Sequence, residues 1–345
     1  MRSRPRRIAA LAAACLVVLG TAACASSAHA GRLASRRTAT ISPPRSADPR
    51  SVPWWAASFA TAAIATDIAP NGMTEADGAI WVAAHRGGDL DRIDPVTNTV
   101  TDRVVSGGEL QLPVTMFGGV WVISSAREQL VRLDPTTRQL TGGQLCVCQG
   151  GTIGELGNMV VASFGPALTL YDPHTMKQIR SANVSGPDGQ SIYGWTVAGD
   201  NMWMLAWNGS KIYRVSLKTL KVTLAVPMSA LSIEYIHGRL LIIDGSGRLR
   251  QIDPARGTVT RSWQLDTPDK QDLNSGVDIF DDGAGNGVWV NQLSTELTHV
   301  DFQTGKIRKI TGLPPQPEVN PYVLVADGAM WVADWKDNLV LRMKP

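Results

Sequence analysis

Three stretches of this chain repeat one order of residues. Asp77–Asp94 (DGAIWVAAHRGGDLDRID), Gly119–Pro135 (GVWVISSAREQLVRLDP) and Asp327–Lys344 (DGAMWVADWKDNLVLRMK) share it. Each passes from a Gly turn through an apolar run holding a Trp, across a polar connection, into a second alternating run. The position of Trp81 recurs at Trp121, Val160, Trp203, Leu241, Trp289 and Trp331, at intervals of 38 to 48 residues, which makes seven units. Self-similarity at such a period marks a solenoid or propeller array and constrains the fold more than any single motif.

Asp-Pro closes the second run at Asp94, Asp134, Asp172 and Asp253, and is replaced by Ser216-Leu217 and Asp301-Phe302 in two units. The turn residues that follow, such as Val96-Thr97-Asn98, suit a tight link between strands, because Pro fixes its φ and Asn or Gly accepts a left-handed position. A third alternating run comes next, as in Thr258–Trp263. With the short run before each Gly turn, every unit has four strands, and helical periodicity is almost absent. The expectation is an all-β, seven-bladed β-propeller with four-stranded antiparallel blades. The seventh unit ends at Pro345 after its third strand, so residues about 57–64 are expected to supply the missing outer strand and close the ring.

The signature [DG]-G-x-[IVM]-W-V … L-x-R-[ILV]-D-P-x-T-[GN], carried from Ala65 to Pro345, resembles the YVTN/NHL-type propellers, including the streptogramin-lyase-like group. That resemblance implies the architecture. It does not assign an activity, because one fold hosts many.

Residues 1–23 begin with Arg2, Arg4, Arg6 and Arg7 and continue without charge from Ile8 to Ala23. The order is that of a secretory signal, and the apolar run is shorter than the ~20 residues of a membrane span. Thr21-Ala22-Ala23-Cys24 resembles a bacterial lipobox with Thr in place of the usual Leu. It makes Cys24 the expected lipidation site of an extracytoplasmic, membrane-anchored lipoprotein; the alternative is cleavage after Ala28-His29-Ala30 and free secretion. Residues 24–52 hold Ser, Arg, Pro and Ala with hardly a large apolar side chain, the composition of a flexible tether. The propeller is then residues 53–345. The full chain carries a formal charge of +3, but residues 53–345 hold 24 basic against 29 acidic side chains. The basic balance therefore belongs to the leader and tether, and nucleic acid is not an expected partner.

Cys146 and Cys148 are two residues apart. On a regular strand their Cβ atoms stand ~7 Å from each other, beyond a relaxed disulfide. A bend at Gly150-Gly151 would bring them together, so a local disulfide is expected, with buried thiols next and a metal site last.

Function is expected where the repeats stop repeating. One face carries the Asp-Pro turns and Gly turns; the other carries the variable loops, as binding faces on rigid scaffolds do. Residues three and four beyond each repeat Trp place His85, Phe164, Trp207, Asp244, Asp334 and Trp335 there, and the blade-joining loops add Asn320 and Tyr322. Aromatic faces with convergent polar groups suit a small molecule or a peptide. The expected protein is a monomer that binds such a ligand or a protein partner without turning it over, and needs no cofactor or metal. The alternative is a lyase or hydrolase acting on a small cyclic or peptide substrate through His85 with Asp244 or Asp334. Resemblance to the streptogramin-lyase-like group implies a base and a magnesium ion held by paired His and Glu in the channel loops. Only His85 lies on the variable face, and its loop has no Glu.

Overall fold

A computed structural model describes residues 41–42, 60–144, 152–164, 167–184, 192–206, 211–267, 276–293, 295–313 and 321–345. These residues form seven antiparallel sheets of four strands and no helix, with one further two-stranded edge pairing. The seven inner strands are Pro70–Ala76, Val114–Met116, Thr152–Leu156, Ile192–Ala198, Ser232–Ile236, Ile279–Asp281 and Tyr322–Ala326. Each lies beside the next, and the last returns to the first, so they form a closed ring around a central channel.

Closure runs as the missing strand required. Ala60–Ala65 pairs antiparallel with Leu339–Met343 and becomes the outer strand of blade 7. Thr66 and Ala69 then donate their backbone N–H groups to the Asn338 carbonyl (3.0 Å) and side chain (2.8 Å), fixing the chain where it passes from blade 7 into blade 1. Within the stretch read as tether, Ile41–Ser42 lies against the outer strand of blade 1, Thr99–Val105.

The core is divided into seven apolar clusters, one between each pair of neighbouring blades. Trp81, Trp121, Trp203, Trp289 and Trp331 are all fully buried in them. The indole N–H of Trp81, Trp121 and Trp331 donates to the carbonyl ending its blade's inner strand, Ala76 (3.3 Å), Met116 (2.8 Å) and Ala326 (3.1 Å). An Arg of the same blade lies over the ring in three blades: Arg132 on Trp121, Arg308 on Trp289 and Arg342 on Trp331. Arg308 belongs to the outer strand of its blade, the other two to third strands. The long side chain covers apolar surface and keeps its charge towards water.

The two turn types have separate causes. In the Gly turns of blades 1, 2, 5 and 7 both central residues have positive φ, as at Asp77 (52°) and Gly78 (62°) or Asp327 (53°) and Gly328 (65°). That is the hairpin turn whose twist matches the flanking strands. In the Asp-Pro turns it is Asp that organises the chain. Asp94 Oδ1 accepts the N–H groups of Val96 (2.7 Å) and Thr97 (3.2 Å), and Asp134, Asp172, Asp253 and Asp301 repeat this. The backbone donors hold these carboxyls below the usual carboxylate range. The motif persists at Asp301, where Pro is lost, because the acceptor oxygen makes the turn.

Candidate functional site in the central channel

The inner strands of blades 2 to 7 enclose a cavity of about 560 Å³. Its lining follows from strand pairing. The inner-strand residue paired with each repeat-Trp position is Thr74, Val114, Glu155, Thr196, Glu234, Phe280 or Leu324. All but Thr74 line the cavity. The two units that replaced Trp, with Val160 and Leu241, are the two that carry Glu opposite, Glu155 and Glu234.

Glu234 is the centre of the polar wall. Thr196 donates its hydroxyl to Glu234 Oε2 (3.5 Å) and accepts the Tyr235 N–H (3.0 Å), which ties blade 4 to blade 5. Burial, and then the nearby Asp278 charge, push the Glu234 carboxyl up to about 8, against the opposing bonds from Thr196 and the Tyr235 N–H. Asp278 stands one residue before the inner strand of blade 6, at the variable-loop end. It is exposed at the channel, and desolvation by the protein around it pushes it up to about 6. Asn291 accepts the Asp278 N–H (2.6 Å) and donates to the Pro321 carbonyl (2.9 Å), so one amide positions Asp278 and the residue before Tyr322. The Tyr322 phenol is pushed up by burial and by Asp278 and Glu234 together. Phe280 meets Tyr322 edge-on at 5.0 Å, and Trp195 donates its indole N–H to the Ser163 hydroxyl.

Of the residues expected to bind a ligand, Tyr322 lines this cavity. The others are placed differently. Trp335 is buried beneath His85 (ring centroids 5.2 Å) and Arg86 (5.4 Å). His85 Nδ1 meets the Leu110 carbonyl at 3.0 Å, bracing the joint between blades 1 and 2. Asp334 is buried and accepts the Asp337 N–H (3.1 Å) within its own turn. Asp244 accepts from Ser246 and Arg248 backbone, the Ser246 hydroxyl and Arg250 (2.8 Å). Burial raises its pKa, and these donors outweigh that and hold it below the ordinary range. His85, Asp244 and Asp334 are thus absorbed by loop structure, and none of them lines the cavity. Phe164 ends the strand Met159–Phe164, and its side chain lies outside the described residues, as do Trp207, Asn320, Cys24, Cys146 and Cys148.

The family resemblance implies a magnesium ion held by paired His and Glu. No His lines the cavity among the described residues, and His85 is committed to Leu110 and Trp335. A paired His and Glu set is not what these residues offer. The one group able to converge three ligand atoms within 4.8 Å, among the described residues, is His237, Asp281 and Asp282. Their oxygens already serve the turn: Asp281 Oδ1 accepts from the Gly283 N–H and faces His237 Nε2 (2.7 Å), while Asp282 holds Ala284, Gly285 and His299.

No protein-family model and no curated protein matches the chain. Solved structures do. The chain aligns over 83% of its length with Raptor from Chaetomium thermophilum (TM-score 0.68, 12% identity), spanning 29% of that chain. It aligns over 81% with a streptogramin B lyase (TM-score 0.65, 14% identity), spanning 95% of it. BamB from Moraxella catarrhalis matches over 81% (TM-score 0.53, 13% identity), 86% of that chain. At such identities the likeness shows the propeller fold and nothing finer.

Proposed function

We propose that this chain is an exported YVTN/NHL-type propeller, anchored to the bacterial membrane through a lipid on Cys24, that binds a small molecule in its central channel without turning it over. The observation that carries the binding reading is the cavity of about 560 Å³ enclosed by inner strands of six blades. Ligand sites are concave and mostly apolar, ~300–1,000 Å³, with a few placed polar groups. Here the walls include Ile, Val, Leu, Phe and Trp, and Glu155, Glu234, Asp278, Asp281 and Tyr322 are among the placed polar groups. The ligand enters from the variable-loop end, where Asp278 and Tyr322 begin their strands. The export and anchoring half rests on the leader, on Cys24 after Ala22-Ala23, and on a tether without core residues.

The test is a soak of crystals with a fragment library. Bound fragments should lie between Trp195, Phe280 and Tyr322. Fragments that collect instead on the Asp-Pro turn face would overturn the channel reading. For the anchor, metabolic labelling with a fatty acid should mark the wild type and leave Cys24→Ser unlabelled; equal, label-free release of both would remove it.

The second reading is a lyase or hydrolase, and the streptogramin B lyase likeness favours it in fold. Groups with strongly displaced pKa values in a cleft also attract an enzyme reading. The pair that the sequence offers for catalysis, His85 with Asp244 or Asp334, is tied into loop hydrogen bonds. Catalysis would have to run through Glu234, and turnover lost in Glu234→Gln with binding retained would establish it.

A further inference from the structure

We propose that the ligand of the channel is an organic cation, an amine or guanidinium carried on an apolar, preferably aromatic, body. This rests on the channel reading above and sharpens it to a chemical class. The lining contains four carboxylates, Glu155, Glu234, Asp278 and Asp281, and no Lys, Arg or His among the described residues. They come from three inner strands and their flanks, on blades 3, 5 and 6, so negative charge faces the cavity from three blades. Between them stand Trp195, Phe280 and Tyr322. A cation is attracted both by carboxylates in a poorly hydrated site and by the faces of aromatic rings. An anion of the same size meets only repulsion there.

Two further observations narrow the class. A bare metal ion needs several ligand atoms converging on one point. Among the described residues the channel carboxylates of blades 3 and 5 belong to no such group; the only one is the His237, Asp281, Asp282 set at the turn end. Separated carboxylates match instead a charge distributed over an extended organic molecule. Desolvation also holds Glu234 and Asp278 above the ordinary carboxylate range, and the Asp278 charge adds to the shift of Glu234. A positive partner favours the ionised form of each, whereas a neutral ligand leaves the proton on Glu234 in place near neutral pH.

The probe is a fluorescent arylalkylamine, dansylcadaverine, compared with its N-acetyl derivative, which keeps the body and removes the charge. Both are titrated against the full protein by fluorescence, with inorganic magnesium as a separate competitor. The wild type should bind the amine about tenfold or more tightly than the N-acetyl compound, the scale of a charge-assisted contact. In Glu234→Gln/Asp278→Asn that preference should fall to about twofold or less; Glu234→Gln alone should lower it partway if the double variant unfolds. Thr152→Trp, at an exposed lining position, should narrow the mouth and weaken both compounds. Magnesium at millimolar concentration should not displace the amine. Equal binding of the two compounds, both weakened by Thr152→Trp, would overturn the cation while leaving the channel site standing. Binding of neither, or binding indifferent to Thr152→Trp, would overturn both. Displacement by magnesium would make the site a metal site and end the proposal.

Discussion

Two acidic clusters among the described residues, at the ring seam and in the channel, are built on opposite principles. At the seam where the ring closes, Asp67, Asp89 and Asp91 surround Arg103. Arg103 grips Asp91 with two bonds (2.5 and 2.9 Å) and lies 3.8 Å from Asp89, and the Asp67 N–H donates to Asp91 (2.7 Å). In the channel, Glu234 and Asp278 have neutral partners: a hydroxyl, backbone N–H groups and an amide. Burial raises carboxyl pKa values in both places; Asp89 is pushed up to about 6 by desolvation and by Asp67, and Asp91 is raised as well. A displaced pKa therefore does not distinguish a brace from a site. The guanidinium does: the seam fills its own need for a counter-charge, while the channel has a void where one would sit.

The seam should be the place where damage is largest. A chain beginning at Thr66 lacks the outer strand of blade 7 and exposes the edge of Leu339–Met343. It should lose cooperative thermal unfolding or aggregate, and a chain beginning at Pro53 should not. If the two melt alike, closure does not depend on that strand.

Next in size is Arg103→Ala, which leaves Asp91 buried beside a second carboxylate. Breaking a buried pair this way costs ~3–5 kcal/mol, read in urea unfolding. Removing the charge as well, in Arg103→Ala/Asp91→Asn, should recover part of the loss. A single variant as stable as wild type would mean that the seam cluster is no brace. Trp331→Ala, which empties the neighbouring blade interface, belongs in the same range, ~3–5 kcal/mol.

The channel should respond in the opposite direction. Between the ordinary Glu range and about 8, folded protein holds a proton on Glu234 that the unfolded chain has released. Its contribution is therefore present at low pH and declines as pH rises through that window. Glu234→Gln removes the decline. The variant should match wild type near pH 5 and exceed it by roughly 1–3 kcal/mol above pH 8, after allowing for water in the channel. The contrast with Arg103→Ala is the point: losing a charge at the seam destabilises, and losing one in the channel stabilises. A Glu234→Gln protein weaker than wild type at pH 9 would erase the distinction.

How much of this was legible in the residues follows from what repeats. The blade count, the ring closure and the Trp-filled interfaces were readable because seven copies of one packing problem demand the same residue types. Residues about 57–64 anticipated a strand found at Ala60–Ala65. The channel was not readable from loops, because an exposed-sounding position such as Trp335 can be folded under its neighbours, His85 and Arg86. It was present as a quieter signal. Where the repeat Trp is replaced, at Val160 and Leu241, the paired inner-strand residue is Glu. That pairing needs the strand register, which the repeat alone leaves open by one residue, and one residue exchanges the faces of a strand. Glu155 and Glu75 look alike in sequence, yet Glu155 pairs with Val160 and Glu75 with Ile80, one place off the Trp position.

The smallest effect tests the finest detail of the comparison, that neutral donors stand in for a cation in the channel. Among the described residues, Thr196 is the side chain that lowers the Glu234 pKa against burial and Asp278. Thr196→Val keeps the shape and removes the hydroxyl, so Glu234 should titrate higher still, by a few tenths of a unit up to ~1 unit, in carbon-detected NMR of the labelled carboxyl. The variant also strips the Tyr235 N–H of its acceptor. A loss of stability is therefore expected for that reason alone and does not bear on the question; the titration does. Thr196→Ser restores the oxygen and should return the pKa to the wild-type value. At the seam the one neutral donor to Asp91 among the described residues, the Asp67 N–H, stands beside Arg103, which supplies two bonds and a full charge. A Glu234 titration unmoved by Thr196→Val would mean that the hydroxyl at 3.5 Å is a bystander. Burial and Asp278 would then set the proton affinity of the channel without it.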